Sequence, residues 1–278
     1  MRHFLLMLAW LQAALAQTDI GVLGLFRSSV FELTPLPGEA LEIETAAGTE
    51  VLESGARRKV RYPARLVAHG RNGAAAGFLL SIPGRIERRY LGTLRIEPGQ
   101  GVLIARIVMD LEIAVASVIA AEAGHSQLEA LRALAVAARS YLTASGKRHR
   151  DFTFCDTTHC QFLREPPAAS SPAWYAAQST AGIVLAYHGK PVQALYSASC
   201  GGQTRSLREA GWRVDDYEFP AVKCGACRGL PARGHRVGLC QTGAQRRALA
   251  GSDFRAILGH YFPGTALLDL RASSASMP

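Results

Sequence analysis

The chain changes rhythm once. From residue 18 to about 108 short apolar runs recur: GVLGLF, FELTPL, LEIETAA, RLVAHG, GFLLSI, RYLGTLRI and VLIARIVM. They are rich in Val, Ile, Leu and Phe, and PLPGE, GRNG, IPGR and EPGQG punctuate them, so each reads as a strand. Helical spacing begins only after Met109. Asp110 can cap a run through Ile113, Val115, Val118 and Ile119 that stops at Gly124. A second helix runs from Ser126 through Leu131, Leu134, Ala135, Ala138 and Leu142 to Gly146, and Ser126-Gln127-Leu128-Glu129 fits a capping box. A Cys-rich loop follows, then a hairpin (GIVLAY-HGK-PVQALYSAS), a Gly-rich loop and two short helices ending at HYFPG. Strands and helices are segregated along the chain, which predicts an α+β fold. The predicted division is a β-rich region over 17–108, a mixed helical and hairpin part over 109–265 and a tail over 266–278.

The first residues stand apart. MRHFLLMLAWLQAALAQ has a basic start at Arg2, an apolar run to about Leu15 and the small-x-small end Ala14-Leu15-Ala16. Residues 1–16 therefore read as a secretory signal peptide, the run being too short to span a bilayer. The expectation is an exported protein, periplasmic, in the cell wall or extracellular, with no membrane span after cleavage. The formal net charge of +9 suits an exported protein that meets anionic partners, whether wall polymers, a membrane surface or nucleic acid, although the charge is spread out and solubility alone would also explain it. No basic helix is interleaved with aromatics, so nucleic acid is not the expected partner.

One residue is out of place. AVASVIAAEAG, residues 114–124, is apolar nearly all round, as a buried helix is, yet Glu122 lies in its last turn. The helix dipole and apolar surroundings both disfavour a carboxylate there. Its pKa should rise, which suits a general acid. The competing reading is a helix-end glutamate turned to water.

The six cysteines are Cys155, Cys160, Cys200, Cys224, Cys227 and Cys240. An even count in an oxidising compartment favours disulfides. Cys155, His159 and Cys160 supply at most three zinc ligands, and a 155–160 disulfide is an equal alternative. Cys224-Gly-Ala-Cys227 resembles a redox pair or half a zinc ribbon, but no second CxxC accompanies it, so a short structural disulfide is favoured. No cofactor is required; a structural zinc is the candidate metal, open against the disulfide.

AAEAGHSQLEALRALAVAARSYLTA resembles the stretch where the sporulation stage II protein D / LytB (SpoIID/LytB) family carries a Glu-Met-Pro-like turn and a helix close to EALKAQAVAARTYA. Four further blocks resemble the family in order: RRYLGTLRI (88–96), CDTTHCQ (155–161), YSASCGGQT (196–204) and GHRVGLCQTGA (234–244). The resemblance implies a peptidoglycan enzyme, a lytic transglycosylase that cleaves the β-1,4 bond between N-acetylmuramic acid and N-acetylglucosamine, with Glu122 as its acid and base. The alternative it implies is a noncatalytic glycan-binding module that enhances a cell-wall amidase. Peptidoglycan strands are the implied partner in either case.

The matching blocks place Arg139, Ser140, Tyr141, Gln161, Ser199, Gly201, Gly202, Thr204, His235 and Gln241 as substrate-binding candidates. Arg139 could order the Glu122 loop or contact substrate, or be an exposed helix cation. Gly201 and Gly202 could bring free N–H groups to a ligand. The family associates metal with the loop that holds Cys155, His159 and Cys160. Cys200 and Cys240 stand where the commoner pattern has Ser, which implies that they face each other in a disulfide. The sequence departs from the pattern in two places: AEAGHSQ lacks the Met-Pro after the glutamate, and Arg236 replaces a Gly of GHGVG.

Overall fold

The computed structural model describes residues 16–213 and 216–274; the expected signal peptide lies outside the described residues. The class is α+β, with a large strand-rich part followed by helices. The strands of the first part are β1 (Gln17–Val22), β2 (Val30–Pro35), β3 (Leu41–Thr45), β4 (Gly48–Leu52), β5 (Arg58–Arg61), β6 (Leu66–His69), β7 (Ala76–Ile82), β8 (Ile86–Pro98) and β9 (Leu103–Asp110). Two of them, β4 and β5, were not visible as apolar runs. Every residue of β4 but Leu52 is exposed, and β5 buries only Val60, so neither carries a strong alternating signal. GVLGLF also divides differently: β1 ends at Val22, and Gly24–Phe26 is a single 3-10 turn flanked by Leu23 and Arg27 with positive φ.

β8 connects the strand layers. Its first half, up to Gly92, pairs antiparallel with β7; its second half pairs with β9 on one edge and β6 on the other. The exchange occurs at Gly92, with φ of 153°, where a Cβ would lie 2.5 Å from the Val108 carbonyl oxygen. Only glycine fits so close a crossing. Along β9, Leu103, Ala105, Ile107 and Met109 are buried in alternation, as period-two geometry requires. β1 lies antiparallel on β9, from Gln17 opposite Asp110 to Val22 opposite Ala105.

The helical part begins with no connecting loop. Asp110 ends β9 and caps α1 (Leu111–Ala123), its carboxylate accepting from the Glu112 and Ile113 amides at 2.9 and 3.1 Å. Asp110→Ala is expected to cost about 1 kcal/mol, the usual value of such a cap. A shift below a few tenths of a kcal/mol in chemical denaturation would contradict that role.

α1 is buried from Ala114 to Ile119 and half-exposed from Ala120 onward, so its last turn reaches the surface. α2 (Leu128–Ala144) starts later than the expected box. Its N-cap is Gln127, with no side-chain cap. Glu129 turns instead to Arg132 and to the Phe254 amide, at 2.8 Å, and a charged partner outcompetes the Ser126 amide for its carboxylate.

β10 (Phe154–Cys155) pairs parallel with β1, Ile20 opposite Phe154 and Gly21 opposite Cys155. The Cys-rich loop is thereby fixed to the sheet edge. Buried Asp156 strengthens this attachment: its carboxylate accepts from the Leu23 amide and from Arg88 at 2.7 Å.

α3 (Pro172–Ser179) packs on α1 and α2. β11 (Ile183–Tyr187) and β12 (Lys190–Pro191) form the expected hairpin around His188 and Gly189, both at positive φ. Its second arm then leaves: β13 (Tyr196–Ser197) pairs in parallel with β14 (Leu239–Cys240). α4 (Leu207–Ala210) carries the capping box that forms, Ser206 with Glu209. α5 (Gln241–Leu249), α6 (Phe254–Tyr261), β15 (Ala266–Asp269) and α7 (Leu270–Ser274) complete the chain, β15 pairing with β11. Among the described residues, no helix is long and apolar enough to cross a membrane.

Candidate functional site

The open end of α1, the edge of the sheet and the β13–β14 pair enclose a cavity of about 600 Å³. That volume falls within the range of small-molecule sites. Glu122, Tyr141, Gln161, Tyr196, Trp212 and His235 are among its walls. Residues distant in sequence meet there because β10 carries the Cys-rich loop to the sheet edge and β14 carries the GHRVGLCQ block alongside β13.

Glu122 is poised as its position implies. Its carboxylate accepts a hydrogen bond from the Gln241 side-chain amide at 3.1 Å. Burial pushes its pKa up, while the Gln241 bond and the charge of Arg164 pull it back. Among the described residues lining the cavity, Glu122 is the only carboxylate. Gln241 is the first residue of α5, directly after Cys240, so α5 sets the direction of its side chain.

The other expected residues divide. Tyr141, Gln161 and His235 line the cavity. Gln161 is buried and accepts the Tyr196 hydroxyl hydrogen bond. His235 accepts from the Val237 amide through Nδ1, lies against the Trp212 ring, and is held below its usual pKa by burial.

Arg139, Ser140, Ser199, Gly201, Gly202 and Thr204 are not among the lining residues. Arg139 is fully buried rather than an exposed cation, and it pairs with Glu112 while donating to the Ile183 and Ala177 carbonyls, each at 3.0 Å. Ser140 donates to Val136 and accepts from the Leu185 amide, which ties α2 to β11. Thr204 exchanges hydrogen bonds with Val222. Ser199 is buried, and its backbone bridges to Arg233. Gly201 and Gly202, with φ of 70° and 114°, turn beside Leu230, Ala232 and Arg228.

Sequence reasoning missed Tyr196, Ser197, Trp212 and Arg148, all of which line the cavity. The Ser197 hydroxyl is buried with no protein partner, so it is a free hydrogen-bonding group in the wall. Burial and the nearby Glu122 charge push the Tyr196 phenol well above its usual pKa, so it stays a neutral donor. Alternation within a single strand could have flagged Tyr196 and Ser197, but which arm faces a cavity is set by the partner strand.

The Cys-rich loop holds one group more than expected. His149, Cys155, His159 and Cys160 place their ligand atoms within 4.8 Å of one another. His149 Nε2 lies 3.2 Å from Cys160 Sγ, and His159 Nδ1 lies 3.4 Å from it and 3.8 Å from Cys155 Sγ. A tetrahedral zinc with Zn–S of about 2.3 Å and Zn–N of about 2.0 Å needs separations of this order. The donor set, two thiols and two imidazoles, fits zinc.

The expected disulfides are not formed. All six cysteines are free, including Cys155 with Cys160, Cys224 with Cys227 and Cys200 with Cys240. In the second case the reason is geometric: Cys200, Cys224, Cys227 and Cys240 converge on one buried point rather than sorting into two pairs.

No curated protein matches the chain. Residues 100–187 match the family model described as SpoIID: Stage II sporulation protein. The matched segment contains Glu122, all of α2 and the loop from Cys155 to Gln161; the blocks at 88–96, 196–204 and 234–244 lie outside it. That match supports the resemblance read from the sequence: over residues 100–187 this chain is similar to the SpoIID family, which suggests a role related to the cell wall.

Proposed function

We propose that the protein is an exported lytic transglycosylase acting on peptidoglycan strands, with Glu122 as its general acid and base. The observation that carries this reading is Glu122, the one carboxyl group among the described residues of the cavity wall, biased by burial toward its protonated form. Hydrolytic glycosidases ordinarily need two carboxylates, one of them to activate water or form a covalent bond. Lytic transglycosylation needs one. Glu122 gives its proton to the leaving N-acetylglucosamine O4 as the C1–O4 bond breaks. The resulting carboxylate then takes the proton of the muramoyl C6 hydroxyl, and O6 closes on C1. The products are a 1,6-anhydro end on one fragment and a free N-acetylglucosamine 4-hydroxyl at the non-reducing end of the other, with no water consumed and Glu122 restored.

The surroundings suit a glycan. Arg148 and Arg213 line the cavity and match the carboxylates that peptidoglycan carries. Trp212 is 44% exposed at the same wall, and its ring offers an apolar face for a sugar. The His149, Cys155, His159 and Cys160 set would hold a zinc ion with four protein ligands, a closed and therefore structural arrangement that steadies the loop carrying Gln161.

Purified glycan strands digested with the protein are expected to yield 1,6-anhydro ends, detected by mass spectrometry. If no such ends form while a separate amidase is stimulated, the noncatalytic reading replaces this one. The pH profile gives a second check. The Gln241 amide favours the ionised carboxylate, so its loss in Gln241→Ala moves the Glu122 pKa further upward. Because the acid must be protonated to act, the alkaline limb of the activity profile is expected to move to higher pH. A limb that stays in place, or moves down, would remove Glu122 from the acid role.

A further inference from the structure

The four remaining cysteines form a second donor group, at the end of β14. Cys200 comes from the loop after β13, Cys224 and Cys227 from the single 3-10 turn at Gly225–Cys227, and Cys240 from the N-cap of α5. All four are fully buried, and their sulfur atoms lie within 4.8 Å of one another. A tetrahedral tetrathiolate zinc, with Zn–S of about 2.3 Å, requires sulfurs about 3.8 Å apart. Cys227 and Cys240 are 3.5 Å apart.

The surroundings are built for charged sulfur. Cys240 Sγ accepts the Cys200 and Gly243 amides at 3.2 and 3.3 Å, and Cys224 Sγ lies 3.1 Å from the Tyr261 hydroxyl. Such outer hydrogen bonds orient and stabilise metal-bound thiolates. Gly243 is required for this approach, because a Cβ there would lie 2.6 Å from Cys224 Sγ. The two cysteines of the CxxC turn are bound to each other by the backbone through the Cys227 amide and the Cys224 carbonyl, at 3.0 Å. This holds both sulfurs on one side.

We infer that Cys200, Cys224, Cys227 and Cys240 bind a structural zinc ion that clamps the Gly-rich loop, the CxxC turn and the start of α5 together. The site is closed by four protein ligands and has no room for a substrate, so its role is to hold the fold. Its consequence reaches the cavity, because Cys240 immediately precedes Gln241, the partner of Glu122. The inference stands apart from the glycan-cleaving reading: zinc can be present whether or not Glu122 acts.

The test uses the full chain purified without chelator. Elemental analysis is expected to find two zinc equivalents, one for each cluster. In a His149→Ala/His159→Ala background one equivalent should remain. Replacing that remaining zinc with cobalt(II) should give intense sulfur-to-cobalt charge-transfer bands and the d–d envelope of a tetrathiolate. Cys224→Ser/Cys227→Ser should lose this equivalent and the cobalt spectrum together. If that variant does not fold, the wild-type metal content and the cobalt spectrum of the histidine background still decide. Recovery of the four cysteines as two disulfides in non-reduced peptides overturns the inference. So does rapid alkylation of all four in the native protein without metal release, or iron in place of zinc.

Discussion

Glu122→Gln is expected to abolish formation of 1,6-anhydro ends, lowering the rate by about 10²–10⁴, the usual contribution of a positioned acid or base. The amide keeps the size of the side chain and can still meet Gln241, so the cavity should survive. A loss confined to activity, with the fold intact by circular dichroism, is the expected pattern. Activity equal to wild type would eliminate Glu122 as the catalytic group.

The same variant has a stability signature. Burial raises the folded-state pKa of Glu122 above its ordinary value. For a carboxyl group, a raised folded pKa means that the folded protein binds the proton more tightly than the unfolded chain. The stability this brings is fully present below the unfolded pKa and is lost as pH rises through the folded one. Once the pH exceeds the unfolded pKa, the wild type either holds a half-buried charge or keeps a proton the unfolded chain has released, and Gln does neither. Glu122→Gln should therefore be more stable than wild type at neutral pH. That advantage should shrink as the pH falls through the raised folded pKa and be gone below the ordinary glutamate value of 4.5. Parallel urea titrations at neutral pH and below that value would measure it. Gain of stability with loss of function is the common mark of an active-site group.

Arg139→Ala carries the second large effect, and it falls on folding rather than chemistry. Arg139 is fully buried, and its guanidinium joins Glu112 at the start of α1 to the Ala177 carbonyl of α3 and the Ile183 carbonyl of β11. Glu112 also accepts the Gly182 amide at 3.0 Å. Truncating the arginine leaves the carboxylate and two carbonyls without their donor. Breaking one partner of such a pair costs about 3–5 kcal/mol, which for a chain of this size lowers the melting temperature on the order of 10 °C. Replacing both partners, Arg139→Met with Glu112→Met, should recover part of the loss, because no charge is then stranded. A change below about 1 kcal/mol for Arg139→Ala would mean that solvent already serves these groups.

The two variants separate the roles of neighbouring helices. Glu122 sits where α1 leaves the core and can face a ligand. Arg139 sits where α2 is wholly enclosed and can only serve the fold. The AVAARSY block thus contributes one wall residue to the cavity, Tyr141, and two structural ones, Arg139 and Ser140.

The apolar rhythm alone determined that strands precede helices, that Asp110 caps α1 and that Glu122 falls in the last turn of a nearly all-apolar helix. Those features are local: a cap and its amides are two or three residues apart, and periodicity needs only the run itself. What lacked a local signal was lost, as with β4 and β5, whose exposed residues carry no alternation. The capping box at Ser126 shows the converse, a sound local pattern displaced when Glu129 found a cation and a distant amide.

The sites were decided by tertiary structure. Nothing in the spacing of His149 links it to Cys160, and only the turn of the loop at the sheet edge adds it to the donor set. Cys200 and Cys240 do face each other, yet in the company of Cys224 and Cys227, because the parallel β13–β14 pair and the CxxC turn bring three segments to one point. Likewise, Gln241 reaches Glu122 across most of the domain. Sequence spacing specifies which chemistry is carried. Burial and strand pairing, which depend on contacts between distant residues, specify which groups meet.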